Sequence, residues 1–170
     1  MNTITQPLRD EHKELLPKIE RIRVVADSVG FLPVAILRVQ VAELHRFLVQ
    51  DLVPHAKAED VALYPVVAEI MGAPEATATM RHDHVEVAGL VDELGALEPE
   101  LAAPSLPLEV ERALRRILYG LYTLVKVHVV EEEEIYLPIL DAGLSGDEAK
   151  DVFHAMEVAA TREREEALRY

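Results

Sequence analysis

The sequence predicts an all-α protein, an up-down-up-down four-helix bundle followed by a fifth helix. Apolar residues recur at intervals of three and four, as in Leu114, Ile117, Leu118 and Leu121, which is the period of a helix. Segments rich in Gly, Pro or Ser separate five long stretches of this kind. Four long helices with short connections favour an antiparallel bundle made of two helical hairpins.

The five helices are expected at residues 6–27, 33–70, 75–97, 107–141 and 146–168. Ser145 and Glu148 form the pattern of a capping box at the start of the last helix. Pro54 and Pro65 fall inside the second helical pattern, so we expect that helix to be bent. Residues 1–142 are assigned to the bundle, and residues 143–170 to a helix that packs on it or at an interface.

Composition narrows the choice of partners. The chain has 170 residues and a formal net charge of −14, which repels phosphate backbones and anionic lipid surfaces. We therefore expect neither nucleic acid nor a membrane as a partner. With no cysteine, no signal-peptide pattern and no long apolar run, the sequence favours a cytoplasmic protein. The oligomeric state stays open.

One phrase occurs twice in the sequence, as HAKAEDVALYP at 55–65 and as HVVEEEEIYLP at 128–138. In both, a Glu follows the His by four positions and a Pro follows it by ten. The segments DEHKELLPKI at 10–19 and HDHVEVAGLV at 82–91 also match each other. The chain therefore contains two copies of one helical hairpin, with a His on the first helix and a His and a Glu on the second.

Six polar side chains are predicted to point into the bundle core: His12, His55, Glu59, His84, His128 and Glu132. A single His and Glu four apart is usually a solvated surface pair, but here both pairs share their helix face with apolar residues. Burying carboxylates without compensation costs several kcal/mol, and two metal ions would satisfy all six groups. Imidazoles and carboxylates without thiolates suit iron, with manganese as the runner-up, rather than structural zinc.

Four further side chains are candidates for proton transfer or for orienting a ligand. Asp51 precedes His55 by one turn, and Tyr136 follows Glu132 by one turn. Asp83 adjoins His84 and is placed to contact it. Tyr64 points away from the site on a regular helix, and reaches it only if Pro65 distorts the turn. For each of these residues a solvated or structurally satisfied side chain is the alternative.

Three other histidines are not expected to bind metal. His82 and Glu86 repeat the spacing of four, but they lie on a polar helix face. His45 lies off the face of His55, and His154 belongs to the fifth helix, outside the repeat.

Residues 8–141 resemble the haemerythrin-like, or HHE cation-binding, domains. The likeness is strongest to the four-His, two-Glu pattern of stand-alone actinobacterial haemerythrin-like proteins and of repair-of-iron-centres proteins. In that pattern the first and third helices each give one His, and the second and fourth each give a His and a Glu. The resemblance implies that the six residues hold two iron ions, Fe²⁺ or Fe³⁺, with an oxo or hydroxo bridge.

The sequence departs from two members of that family. Oxygen-carrying haemerythrins have a second His four positions away on the third helix, whereas Met80 and Ala88 flank His84 here. Reversible oxygen carriage is therefore not expected. The repair proteins carry an N-terminal cysteine-bearing region, and this chain has no cysteine.

The resemblance implies a reaction with a small oxidant: hydrogen peroxide, oxygen or nitric oxide. Stand-alone members are associated with peroxide disproportionation and with nitric oxide binding, and we expect the catalase-like reaction. The alternative is non-catalytic binding or sensing of nitric oxide or oxygen, or iron buffering. A ferritin-like oxidase would need paired Glu-x-x-His motifs, which the sequence lacks.

Overall fold

A computed structural model describes residues 3–167, which form five helices and no strand. We number them α1 (Gln6–Ser28), α2 (34–71), α3 (Ala78–Leu97), α4 (108–143) and α5 (Gly146–Ala167). A 3₁₀ segment, Glu98–Ala102, follows α3. The prediction of an all-α bundle with an added C-terminal helix is confirmed. Residue 168, the expected end of the last helix, lies outside the described residues.

Two apolar clusters fill the interior and leave a layer between them. Along each bundle helix, one cluster lies before the predicted ligands and the other lies after them, apart from Ala58 and Val129, which fall between two ligands. In α1, for example, Leu15 belongs to the first cluster and Leu8 to the second, with His12 between them. The polar layer is therefore enclosed from above and below by buried side chains, in surroundings of low polarity.

Wide π-helical turns interrupt α2 and α4 at Leu48–Leu52, Glu59–Leu63 and Glu132–Tyr136. Each of these turns ends two residues before a proline, namely Pro54, Pro65 or Pro138. Because proline has no N–H and its ring crowds the carbonyl four residues earlier, an i to i+5 turn relieves the conflict without ending the helix. Each wide turn contains one residue more than an α-helical turn, so it changes the helix face on which the neighbouring side chains lie.

Helix α5 packs on the middle of α2, over the segments that carry His55 and Glu59. Met156 and Ala160 are buried in this contact, and Arg164 Nε donates a hydrogen bond of 3.2 Å to the carbonyl oxygen of Gln50. The capping box predicted at the start of α5 is present. The backbone N–H of Ser145 donates to Glu148 at 2.8 Å, and the N–H of Glu148 donates to Ser145 Oγ at 3.3 Å.

No helix among the described residues is both long and apolar enough to cross a membrane.

Candidate metal centre

The six predicted ligands meet in the polar layer between the two apolar clusters. They are between 0 and 9% exposed, although all six are polar: His12, His55, Glu59, His84, His128 and Glu132. Each bundle helix contributes at least one of them, because the repeat places a His on α1 and α3 and a His and a Glu on α2 and α4.

The ligand atoms form two groups that share one carboxylate. The first group consists of His12, His55, Glu59 and Glu132, and the second group of Glu59, His84 and His128. Within each group the candidate atoms all lie within 4.8 Å of one another. This is the spacing of side chains that surround a single ion, so the layer can hold two ions.

Glu59 spans the two groups with its two oxygens. Its Oε1 lies 3.0 Å from His55 Nε2, and its Oε2 lies 3.4 Å from His84 Nε2. Glu132 has the same arrangement, since its Oε2 lies 3.4 Å from His12 Nε2 and its Oε1 lies 3.7 Å from His128 Nε2. Both carboxylates are therefore placed to bridge two ions.

Three of the buried ligand atoms have no hydrogen-bonding partner among residues 3–167: His12 Nε2, Glu59 Oε1 and Glu132 Oε2. An unsatisfied buried polar atom costs on the order of 1–3 kcal/mol. A cation placed between these three atoms would satisfy all of them at once. The imidazole and carboxylate donors therefore fit a metal ion such as iron or manganese.

A carboxylate holds the outer nitrogen of every ligand histidine. The Nδ1 to oxygen distances are 3.0 Å for His55 with Glu11, 2.9 Å for His84 with Asp60, 3.3 Å for His128 with Asp83, and 2.8 Å for His12 with Glu133. When Nδ1–H donates to a carboxylate, the lone pair of Nε2 is left free to face a metal ion.

These four contacts form a closed ring around the bundle, in the order α1 to α2 to α3 to α4 and back to α1. The expectation that Asp83 contacts its neighbour His84 is wrong, because Asp83 reaches across to His128 on α4. The same expectation for Glu11 and its neighbour His12 is wrong, because Glu11 reaches His55. Sequence reasoning took Asp60 and Glu133 for solvated side chains and missed their matching roles. The repeat carried the signal, since Glu11 corresponds to Asp83 and Asp60 to Glu133.

Tyr64 reaches the second group. Its hydroxyl donates a hydrogen bond of 2.7 Å to Glu132 Oε1 and lies 3.0 Å from His128 Nε2. The wide turn Glu59–Leu63 explains this position, because the extra residue turns Tyr64 onto the face of Glu59. The distortion that the sequence associates with Pro65 is therefore present.

The prediction for Tyr136 is wrong for the same reason. Its hydroxyl donates to the carbonyl oxygen of Ala76 at 3.1 Å, away from the ligands. The turn Glu132–Tyr136 is also wide, so the residue that takes the place corresponding to Tyr64 is Leu137, which is fully buried. The two copies thus differ by one hydroxyl at the site.

The prediction for Asp51 is also wrong. Its carboxylate is 43% exposed and pairs with Lys18 Nζ at 3.0 Å on the surface. Asp51 lies inside the wide turn Leu48–Leu52, so the spacing of four to His55 no longer places the two side chains on one face.

The three other histidines stay outside the centre, as predicted. His82 is 71% exposed beside Glu86, His45 pairs with Glu98 at 2.8 Å, and His154 is exposed on α5.

The electrostatic surroundings leave a proton on two of the ligands, Glu132 and His84, until a cation replaces it. Burial and the charge of Glu59 raise the pKa of Glu132 to about 8. Burial lowers the pKa of His84, but the contacts with Asp60 and Glu59 outweigh it and raise this pKa to about 9. Burial also opposes ionisation of Glu59, yet the charge of His55 holds its pKa well below the usual range. Glu59 is therefore an anion at neutral pH.

A cavity of about 20 Å³ borders the ligands. Its wall combines His84, His128 and Glu132 with apolar side chains such as Val87 and Val125. Five of the six ligands line this cavity, so it is the space that the ions themselves would fill.

A larger cleft of about 280 Å³ lies between α1, α2 and α5. Leu8, Phe153 and Met156 form its apolar part, and Glu11 and His55 lie at its inner side. His55 is thus the ligand histidine that this cleft connects to the surface.

A comparison with protein families adds an independent line of evidence. The family model of the hemerythrin HHE cation-binding domain matches residues 3–140, which is most of the chain and includes all six ligands. Searches among curated proteins and solved structures gave no significant match. Both the family match and the buried His and Glu cluster indicate a metal-binding helical bundle. The chain belongs to the hemerythrin HHE cation-binding domain family.

Proposed function

We propose that the chain binds two iron ions in this centre and disproportionates hydrogen peroxide into water and oxygen. The sharing of Glu59 between the two ligand groups carries the proposal, because this carboxylate would hold two ions at one reaction centre. Manganese remains the alternative metal, since it accepts the same nitrogen and oxygen donors.

The reaction balances with two molecules of hydrogen peroxide. One molecule takes up two electrons and two protons and becomes two molecules of water, and the other gives up two electrons and two protons and becomes oxygen. The pair of ions, when bound, supplies the redox chemistry that stores two electrons between these halves. The polypeptide has to admit the substrate, exclude other reactants and move the protons.

The burial of the ligand layer supports a small substrate. The six ligands are at most 9% exposed, so organic peroxides and larger metabolites cannot reach ions held there without rearrangement, whereas hydrogen peroxide has only two heavy atoms. The apolar side chains Leu15, Leu52 and Val129 line the space between the ligands and keep reactive species away from oxidisable groups.

Tyr64 is the group best placed to take part in proton transfer. Burial and the charges of Glu59 and Glu132 raise the pKa of Tyr64 far above its ordinary value, so its phenol stays protonated and donates to Glu132 Oε1. As a ligand, Glu132 would give up its own proton when the ions bind, so the phenol of Tyr64 is the hydrogen-bond donor that remains beside them. Tyr64 replaces Asp51 and Tyr136 as the candidate for proton transfer.

Binding of nitric oxide or oxygen without turnover is the second candidate, because a diatomic molecule is also small enough to reach the buried ligand layer. Iron buffering would use the same ligands and would need no access for a substrate.

Measurement of oxygen released from hydrogen peroxide by the iron-loaded protein separates these functions. We expect one molecule of oxygen for every two of peroxide, and no release after Glu59→Gln. Glu69→Gln, an exposed change on the same helix, serves as the control. If peroxide is stable in the presence of a fully loaded protein that binds nitric oxide, then the catalytic proposal is wrong.

A further inference from the structure

The two ligand groups are unequal, although the repeat supplies each hairpin with the same residue types. The first group contains four closely spaced side chains and the second contains three, because Glu132 lies nearer the first group: its Oε2 is 3.4 Å from His12 Nε2, whereas its Oε1 is 3.7 Å from His128 Nε2. We propose that the ions are loaded in order, a tight ion in the first group and then a weaker, exchangeable ion in the second. This inference rests on the metal pair of the proposed function and adds the order of filling.

The unsatisfied buried atoms all belong to the first group. His12 Nε2, Glu59 Oε1 and Glu132 Oε2 have no hydrogen-bonding partner among the described residues. An ion in the first group removes the desolvation cost of all three, so its binding gains the most free energy.

Atoms that face the second group already have partners. His84 Nε2 and His128 Nε2 lie 2.9 Å apart, and the hydroxyl of Tyr64 donates to Glu132 Oε1. An ion in the second group has to compete with these contacts, so its net gain is smaller. The equivalent of Tyr64 in the other copy is Leu137, which offers no competing hydroxyl.

The carboxylates that hold the ligand histidines are better anchored around the first group than around the second. Glu133, which holds His12, is itself paired with Arg9, and Arg9 also contacts Asp141. In the first copy Ala68 stands at the place equivalent to Asp141 and has no charge to contribute. Because bracing carboxylates fix the orientation of the imidazoles, the first group is better organised before an ion arrives.

The cleft beside α5 also leads to the first group. Of the four ligand histidines, His55 is the one that lines it, together with its bracing carboxylate Glu11. Helix α5 begins beyond the stretch that the family model matches, so this entry is built partly from residues outside the family domain. An ion arriving through the cleft meets the first group before the second.

Calorimetric titration of Fe²⁺ into the chelator-treated full chain, without oxygen, tests the order. We expect two steps whose affinities differ by about tenfold or more. Glu11→Gln and Asp83→Asn each remove the charge of one brace and keep an acceptor oxygen. Glu11→Gln should weaken the affinity of the tight step about tenfold and leave the affinity of the weak step unchanged. Asp83→Asn should weaken the weak step about tenfold and leave the tight step unchanged.

Matched controls change an exposed acid on the same helices. Asp10→Asn lies next to Glu11, and Asp92→Asn lies on α3 with Asp83, so neither should move either step. Iron content after brief chelation gives a second readout, and we expect one ion per chain to remain.

Several outcomes would overturn the inference. They are two indistinguishable steps, a tight step that responds to Asp83→Asn, or loss of both ions together on brief chelation. The proposed function and the loading order can be refuted independently of each other. Two ordered ions with no oxygen release would refute the catalytic proposal alone, and oxygen release from a protein with two equal ions would refute the loading order alone.

Discussion

At the scale of single residues, Glu59 carries the central role because its two oxygens face different ligand groups. Replacing it with Gln keeps the size but removes the charge that stabilises two cations. We expect Glu59→Gln to reduce iron from two ions per chain to one or fewer, as measured by metal analysis of the purified protein. Glu69→Gln should keep the full content, and equal iron in both variants would exclude Glu59 as a bridge.

Tyr64 gives a second prediction at this scale. Tyr64→Phe removes the hydroxyl that donates to Glu132, so we expect oxygen release per bound iron to fall about a hundredfold. Tyr136→Phe is the matched control, because Tyr136 is also buried but its hydroxyl bonds to the carbonyl of Ala76. A Tyr64→Phe protein with unchanged turnover would remove Tyr64 from the proton pathway.

The shifted pKa values predict how metal affinity depends on pH. The pKa of Glu132 is raised to about 8 and that of His84 to about 9, so both groups hold a proton below those values. An ion has to displace these protons, and affinity therefore rises with pH until the folded pKa values are passed. Below pH 8 we expect a gain of about a hundredfold or more per pH unit, since at least these two protons are released. Titrations in buffers of different ionisation enthalpy would count those protons, and an affinity independent of pH would contradict this assignment.

At the scale of secondary structure, the repeated hairpin explains why the ligands were predictable. A His and a Glu four residues apart share a helix face, and the second copy shows that the pattern is not accidental. The wide turns were not predictable, because a proline inside a helix permits several local solutions and tertiary packing selects one. The one-residue shift in register that each wide turn causes brought Tyr64 to the ligands and moved Tyr136 away from them.

The bracing acids were missed for a related reason. Each lies next to a ligand in the chain but contacts a histidine on another helix, as Asp60 does with His84. Spacing along one helix describes neighbours on that helix, and it gives no information on contacts between helices until their packing is known.

The link between prolines and wide turns can be tested at Pro65. Pro65→Ala restores an N–H, so the turn Glu59–Leu63 can shorten to an ordinary α-helical turn and rotate Tyr64 away from Glu132. We expect turnover per bound iron to fall toward that of Tyr64→Phe, measured as oxygen release. Pro17→Ala, within the regular helix α1, should leave turnover unchanged. Full activity of Pro65→Ala would show that packing alone sets the turn.

At the scale of the whole molecule, the centre couples metal binding to folding. Ligands from all four bundle helices meet in one layer, so an ion binds the folded chain and has no equivalent site in the unfolded one. Iron at about a hundred times its dissociation constant should stabilise the protein by about 2.7 kcal/mol. Urea unfolding with and without a chelator measures this difference, and Mg²⁺, which prefers oxygen ligands, serves as the control.

The most direct test of the account is the amount of iron bound per chain after loading without oxygen and removal of the excess. The shared carboxylates predict two irons per chain, with both lost from a protein that lacks His12, Glu59 and Glu132 together. A single ion at saturation, or a zinc ion held in preference to iron, would contradict the two-ion centre and the chemistry proposed for it.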